Sequence, residues 1–411
     1  MHNWGGNYAY RATQVHRPAT LDELRRIVVG AQRIHVLGTR HAFGDGADSA
    51  ELVTLEALQG DVVVDHAAGT VCAGAGMTLG ALAAQLEGER LALFNLPSTP
   101  QISIGGAIAT ATHGSGDANG NLATAVAELE LVTSAGEVIT VRRGDADFEG
   151  FVVGLGAMGA VTRVTLDVEP TYEVGQRVFE GLAWDALSEH IEEVFASGDS
   201  VSLFTRWGEA VDQVWVKRRV TGASDLPDGD LFGATPAEGQ VHPIAGMDPA
   251  SCTAQLGRPG PWSDRLPHFR MGCTPSAGAE IQSEYHVARR DCRAAIEALR
   301  ALAGEIRSLL YVCEIRTIAA DQLWMSPQHE RDSIALHFTW RRDQQGVERV
   351  LALVEAALEP LAPRPHWGKL FLYDAAAIAR RYERLGEFRQ LLDRVDPRGA
   401  FRNAWLERHV G

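Results

Sequence analysis

Apolar positions along this chain change repeatedly between three-to-four spacing and strict alternation, and each change predicts a short element. Thr20-Leu21-Asp22-Glu23 reads as a capping box opening a helix, with Leu24, Ile27 and Val28 on one face. A buried strand is expected over 34–37, and a hairpin over 61–65 and 70–73, closed by Ala67-Ala68-Gly69. A helix over 78–87 and a strand over 91–94 lead into an uncharged, glycine-rich stretch at 97–116. A second hairpin is expected over 127–133 and 137–141, turned at Ser134-Ala135-Gly136. Residues 154–159 spell G-x-G-x-x-G, but Ala160 to Val168 alternate and are rich in β-branched residues. A strand therefore stands where a dinucleotide fingerprint needs a helix, so the motif is read as a glycine loop of its own domain and not as a dinucleotide site.

The texture changes after Pro170, and a domain boundary is placed at Tyr172. Beyond it the pattern predicts a helix over 184–196, strands over 201–205 and 213–217, and a long irregular stretch over 222–278. Such a length without periodicity reads as a functional cover or an insertion. A strand over 279–287, a helix over 291–303 and a strand over 308–316 follow, then helices over 347–358 and 374–392 and a tight turn at 396–403. Irregular alternation of this kind predicts an α+β fold. It divides into a first domain over 1–172, a second over 173–375 with an antiparallel sheet flanked by helices, and a closing segment over 376–411.

Composition narrows the function classes. The 411 residues suffice for two or three cores, and 45% hydrophobic with 22% charged residues is ordinary globular usage. A net charge of −15 speaks against nucleic acid and anionic membranes as partners and favours a neutral or weakly polar small substrate. The five cysteines are scattered without metal-ligand or disulfide spacing, so no metal site is expected and a reducing compartment is the simpler reading. No apolar run approaches bilayer length and the first residues lack a signal-peptide core; a cytoplasmic monomer is expected.

Two groups of residues carry candidate chemistry. The stretch 97–116 holds Ser103, Gly105-Gly106, Ile108, and Ala111-Thr112-His113-Gly114. Glycines there permit close backbone approach to a bulky, phosphate-bearing ligand, although small-residue packing explains such a stretch equally well. Upstream stands Val36-Leu37-Gly38-Thr39-Arg40-His41-Ala42. In the second half, three strand-like segments each present polar groups on one side. Glu314 pairs with Arg316, His337 with Thr339, and Lys369 stands among apolar residues in His366-Trp367-Gly368-Lys369-Leu370-Phe371. Apolar flanks around one polar face point to a pocket wall, with an exposed sheet face or a structural ion pair as the alternatives. That all three share one sheet is an expectation.

In this order, with an Asp-Pro-x-Gly-x-Phe-x-Asn tail at 396–403, these motifs resemble the alditol oxidase family. That family lies in the aldonolactone-oxidase branch of the vanillyl-alcohol-oxidase type FAD flavoproteins, and the likeness runs over nearly the whole chain. The resemblance implies an FAD-binding domain of that type followed by a substrate-binding cap, with FAD bonded covalently to His41. Val36 to Ala42, Ser103, Gly105, Gly106, Ile108, Ala111 to Gly114, Val161 and His366 would contact the cofactor. Ser103, Glu314, Arg316, His337, Thr339 and Lys369 would bind a polyol, with Arg316, His337 and Lys369 assisting its oxidation by O2. Two local departures stand out. Ala42 occupies a position where serine is frequent, and Ile104-Gly105-Gly106 replaces a common Val-Ala-Gly, which bears on oxygen access.

The reaction implied is oxidation of a terminal primary alcohol, such as that of xylitol or sorbitol, with hydride passing to flavin N5 and O2 becoming H2O2. His337 is the residue best suited as a base near neutral pH, and Lys369 with a depressed pKa is its rival. A sugar-1,4-lactone oxidase or dehydrogenase on the same scaffold is the nearest alternative function, and a non-catalytic flavin-binding or recognition protein the second.

Overall fold

Strict alternation in sequence becomes strict alternation in burial: in the strand Ala160–Asp167 every second side chain is buried. The structure, a computed structural model, describes residues 1–58, 60–220, 226–227, 229–273 and 277–411. Ala160–Asp167 is central in an antiparallel sheet ordered Val63–Asp65, Thr70–Gly74, Ala160–Asp167, Val126–Val132, Val138–Arg142. Both expected hairpins are therefore present, and the strand after the G-x-G-x-x-G loop pairs with both of them. The capping box also forms. Thr20 Oγ1 accepts from the Glu23 amide at 3.2 Å, while Glu23 Oε2 accepts from the amide of Ala19, one residue before the cap.

A small parallel sheet, Gln14–His16, Glu51–Val53 and Ile34–Val36, sets the entry to the His41 loop. Only its last member was expected, because three-residue strands are too short to show a period. Leu91–Ala92 pairs with Glu169–Pro170, just before the chain enters the large sheet.

That sheet runs Thr235–Pro236, Glu173–Ala183, Ala210–Arg219, Ser200–Thr205, Leu310–Ile318, Ser333–Arg341, Glu280–Ala288, Arg364–Pro365, with Gly260–Pro261 beside Glu173–Ala183. All its pairings are antiparallel. With helices against it the architecture is α+β, as expected. The eleven-residue strand Glu173–Ala183 was not foreseen. Its first half is buried at successive positions, so it shows no alternation, and Gly175 and Gly181 interrupt it.

Two helical expectations change in detail. The helix over 184–196 is broken at His190 into Trp184–Glu189 and Ile191–Phe195. The helix over 374–392 is broken into Ala375–Ala379 and Leu385–Val395. There the carbonyl of Arg381 is taken by Arg364 Nε at 2.7 Å, a tertiary bond in place of a helical one. The C-terminal turn forms through Asp396, whose carboxylate accepts the amides of Ala400 and Phe401, and it opens the further helix Ala404–His409.

Among the described residues, the irregular 222–278 stretch packs on the sheet: Ala237, Ile244, Cys252 and Phe269 form one apolar cluster with Val178, Phe204, Trp215 and Val312. Positions 222–225, 228 and 274–276 of that stretch lie outside the described residues. No described helix is long and apolar enough to cross a membrane. All five cysteines are free.

Candidate active site

The two glycine-bearing loops meet at Ser103, the residue before the short helix Ile104–Ala109. The Ser103 amide donates to Thr39 Oγ1 at 3.1 Å, and a Cβ on Gly38 would stand 2.4 Å from Ser103 Oγ. Any larger residue at 38 would force the Ser103 hydroxyl to turn away. Thr39 Oγ1 also lies 3.1 Å from His41 Nδ1, and the His41 ring stacks on Trp4 at 5.4 Å between centroids. His41 Nε2 is buried with no hydrogen-bond partner among the described residues. Burial, then the nearby Lys369 charge, draws the His41 pKa down to about 4, so the ring is neutral with its lone pair available.

Facing these loops across a cavity of about 2270 Å³, solvent-open mouth included, is the large sheet. Register then arranges the polar residues. Glu314 pairs across to His337 and His337 to Glu284, making one row; Val312, Thr339 and Gln282 make the next. Their side chains share one face because positions two apart on a strand do. Lys369 was expected on a strand and is not. Arg364–Pro365 is the last pairing, and the chain then detours through turns closed by the Gly368 amide on His366 Nδ1 and the Lys369 amide on His366 O, both at 3.0 Å. The detour lifts Lys369 over the second row, where Nζ donates to Gln282 Oε1 and lies 5.1 Å from the Phe43 ring centre.

The site is a buried, nearly closed set of charges. Arg316 donates to Glu284 Oε1 at 2.7 Å and lies 3.7 Å from Glu314. His113 Nε2 is 3.1 Å from the same Glu284 oxygen, while its Nδ1 bonds the Gly114 carbonyl. The rings of His286 and His366 stand 5.1 and 5.9 Å from that of His113. Burial pushes both carboxyl pKa values up, but Arg316 and then the adjoining histidines outweigh it, and Glu284 and Glu314 stay ionised. Burial draws His337 down to about 3 and Lys369 from 10.5 to about 8, the latter opposed by Glu284.

The structure thus brings Ser103, Glu314, Arg316, His337, Thr339 and Lys369 to one cavity. Val36 to Ala42, Gly105, Gly106, Ile108, Thr112, His113, Val161 and His366 line it as well, and so do Gly154, Gly156 and Gly159. Ala111 and Gly114, expected at the cofactor, are not on its wall. Gly114 instead backs onto Asn95, where a Cβ would come within 2.5 Å of a side-chain oxygen. Sequence reasoning missed Gln282 and Glu284, although the predicted strand there carries polar residues at 280, 282, 284 and 286, a legible one-sided pattern. It also missed His268, which lies in the irregular cover with no periodicity to mark it. His268 Nε2 donates to Glu314 Oε1 at 2.8 Å.

A family model described as FAD binding domain matches residues 12–142, and one described as D-arabinono-1,4-lactone oxidase matches residues 268–409. The chain is 45% identical over 409 residues to an alditol oxidase of Streptomyces sp. (strain IKD472 / FERM P-14339), covering 98% of this chain and 97% of that protein. It is 29% identical to an L-gulono-1,4-lactone dehydrogenase of Mycobacterium tuberculosis, over 100% of this chain and 98% of that one. Identity to an L-gulonolactone oxidase of Scyliorhinus torazame is 24%, over 99% and 97%. Among solved structures, cholesterol oxidase from B. sterolicum superposes with a TM-score of 0.78 at 17% identity, covering 100% of this chain and 96% of that one, a likeness of fold alone.

Proposed function

The chain belongs to the alditol oxidase family of FAD-dependent oxidoreductases, and from that premise we propose that it oxidises the terminal primary alcohol of alditols such as xylitol and sorbitol to the aldose. The co-product is H2O2, formed from O2. The observation that carries the reading is the pair of cross-strand rows opposite His41, in which buried Glu314, Glu284 and Thr339 stand beside half-buried His337 and Gln282. Ionised Glu314 and the Thr339 hydroxyl can hold substrate hydroxyls that an apolar wall would leave unpaired.

The residues fit FAD. His41 offers a neutral ring with an unpartnered buried nitrogen on the cavity wall, and Gly38, Gly105 and Gly106 line the same wall. Covalent attachment through His41 is part of the proposal, as are contacts from Ser103, Val161, His113 and His366. Residues 1–172 would hold FAD, 173–375 the substrate, and 376–411 would close on the first domain. A monomeric state and a cytoplasmic location, with the cysteines free, complete the proposal.

What bound FAD supplies is acceptance of the hydride from the alcohol carbon and, afterwards, transfer of both electrons to O2. The chain's part is to hold the alcohol and take its hydroxyl proton. Arg316, fixed by Glu284 and Glu314, stabilises negative charge as it develops on the alcohol oxygen. For the proton, Lys369 is better matched than His337. At about 8 its Nζ is neutral in part near neutral pH, whereas His337 at about 3 is a feeble base. His337 donates through Nε2 to Gln282 Oε1 at 3.2 Å and serves in positioning the hydroxyl.

Flavin absorbance of the purified holoenzyme, followed anaerobically on adding xylitol and then air, tests the reading. Bleaching, then recovery with peroxide, is expected. A yellow protein inert to alditols but bleached by an aldono-1,4-lactone would move the assignment to the lactone reading, which the more distant relatives favour.

A further inference from the structure

Behind Glu314 lies a lysine that no substrate can reach. Lys217, on the strand Ala210–Arg219, is 1% exposed, and its ammonium faces three acceptors: the carbonyls of Leu266 and Pro267, and His268 Nδ1 at 3.1 Å. His268 sits edge-on to Phe204 and Trp215, with centroids at 5.4 and 5.2 Å. Its other nitrogen, Nε2, is 2.8 Å from Glu314 Oε1 and 3.5 Å from Ser202 Oγ.

We propose that Lys217 is a positioning residue for polyol binding: by donating to His268 Nδ1 it fixes the imidazole as the Nε2–H tautomer, which in turn aims and holds the Glu314 carboxylate.

The argument is one of donors and acceptors. A carboxylate oxygen only accepts, so the bond to Glu314 exists only while Nε2 carries the proton. A neutral imidazole has one N–H, and burial followed by the Lys217 charge draws the His268 pKa down to about 4. Which nitrogen carries it is decided by what faces the other. Lys217 presents an N–H to Nδ1 and disfavours the competing tautomer, in which the bare Nε2 lone pair would face the Glu314 carboxylate. The same three bonds pin the 266–268 segment of the cover to the sheet, so cover and Glu314 are held by one group. Without this support Glu314 would keep Arg316, but at 3.7 Å and in a direction shared with Glu284.

The inference rests on the polyol reading for its kinetic arm only. Lys217→Met keeps the length of the chain without a donor. It is expected to raise KM for xylitol about tenfold, the worth of one charge-assisted hydrogen bond, with a smaller effect on kcat. Lys217→Met with His268→Gln is the rescue. A glutamine amide donates to Glu314 without a tautomer to choose, so the double variant should recover most of the lost affinity. A merely structural lysine would show no recovery, and that result, or an unchanged KM in the single variant, would overturn the proposal.

The second arm needs neither substrate nor variant. In the holoenzyme labelled with 15N-histidine, below about pH 7, the value to which burial draws Lys217, the His268 ring should show a protonated Nε2 and a bare Nδ1. The opposite pattern would end the proposal even if Lys217→Met did not fold. Should the wild type ignore xylitol while this pattern holds, the polyol reading fails, and what stands is that Lys217 fixes the His268 tautomer and through it Glu314.

Discussion

Thr39 and Ser103, 64 positions apart, are joined by a hydrogen bond in which the Ser103 amide donates to the Thr39 hydroxyl oxygen at 3.1 Å. The same hydroxyl is 3.1 Å from His41 Nδ1, so one oxygen ties the glycine-rich stretch to the histidine proposed to carry the flavin. Thr39→Val keeps the shape and removes both bonds. It should slow covalent flavin attachment about fivefold, since one neutral hydrogen bond is worth about 1 kcal/mol. His41→Ala should abolish attachment while leaving some flavin bound without a covalent bond. Flavin fluorescence of the acid-denatured polypeptide reads both, and fluorescence that persists in His41→Ala would refute the assignment.

Lys369 makes the reaction depend on pH in a definite sense. Burial lowers its pKa to about 8, and the base is the deprotonated amine, so kcat/KM for xylitol should climb as pH rises through about 8. Lys369→Met should lose this limb and about a hundredfold or more in rate, the usual worth of a positioned base. A limb that survived in Lys369→Met and vanished in His337→Gln would transfer the role to His337.

Gln282 should tune that limb in opposite directions. Its Oε1 accepts from both Lys369 Nζ and His337 Nε2, so it favours the charged lysine. Gln282→Leu removes an acceptor from the ammonium, and the limb should move to lower pH. Gln282→Glu adds a carboxylate beside it, and the limb should move to higher pH. Shifts in the same direction in both variants would show that Gln282 acts only by packing.

Glu314 separates polyol from lactone. It is ionised, buried and paired with His268 and Arg316, and a lactone offers fewer hydroxyls to bind. Glu314→Ala should therefore cost far more against xylitol than against an aldono-1,4-lactone, by about tenfold or more, the scale of a lost charge-assisted hydrogen bond. Matched kcat/KM measurements on the two substrates decide it, and equal losses would sink the polyol reading.

The sequence by itself determined a good deal here. The capping box at Thr20, the hairpins around Ala67 and Gly136, the strand after Gly159 and the polar faces of Glu314–Arg316 and His337–Thr339 are all local: each follows from periodicity or turn chemistry within about ten residues. What only the tertiary structure decided is what depends on register and on distant donors. The strand Glu173–Ala183 hides its period because burial, not alternation, sets its residues. The break before Leu385 exists because Arg364 claims the carbonyl of Arg381. Gln282 and Glu284 join the site because their strand pairs with Thr339 and His337, and a one-residue slip would have turned both to the opposite face. Lys217 and His268 lie 51 positions apart in segments without any shared pattern, and only the folding of the cover onto the sheet brings a cation, an imidazole and Glu314 into line.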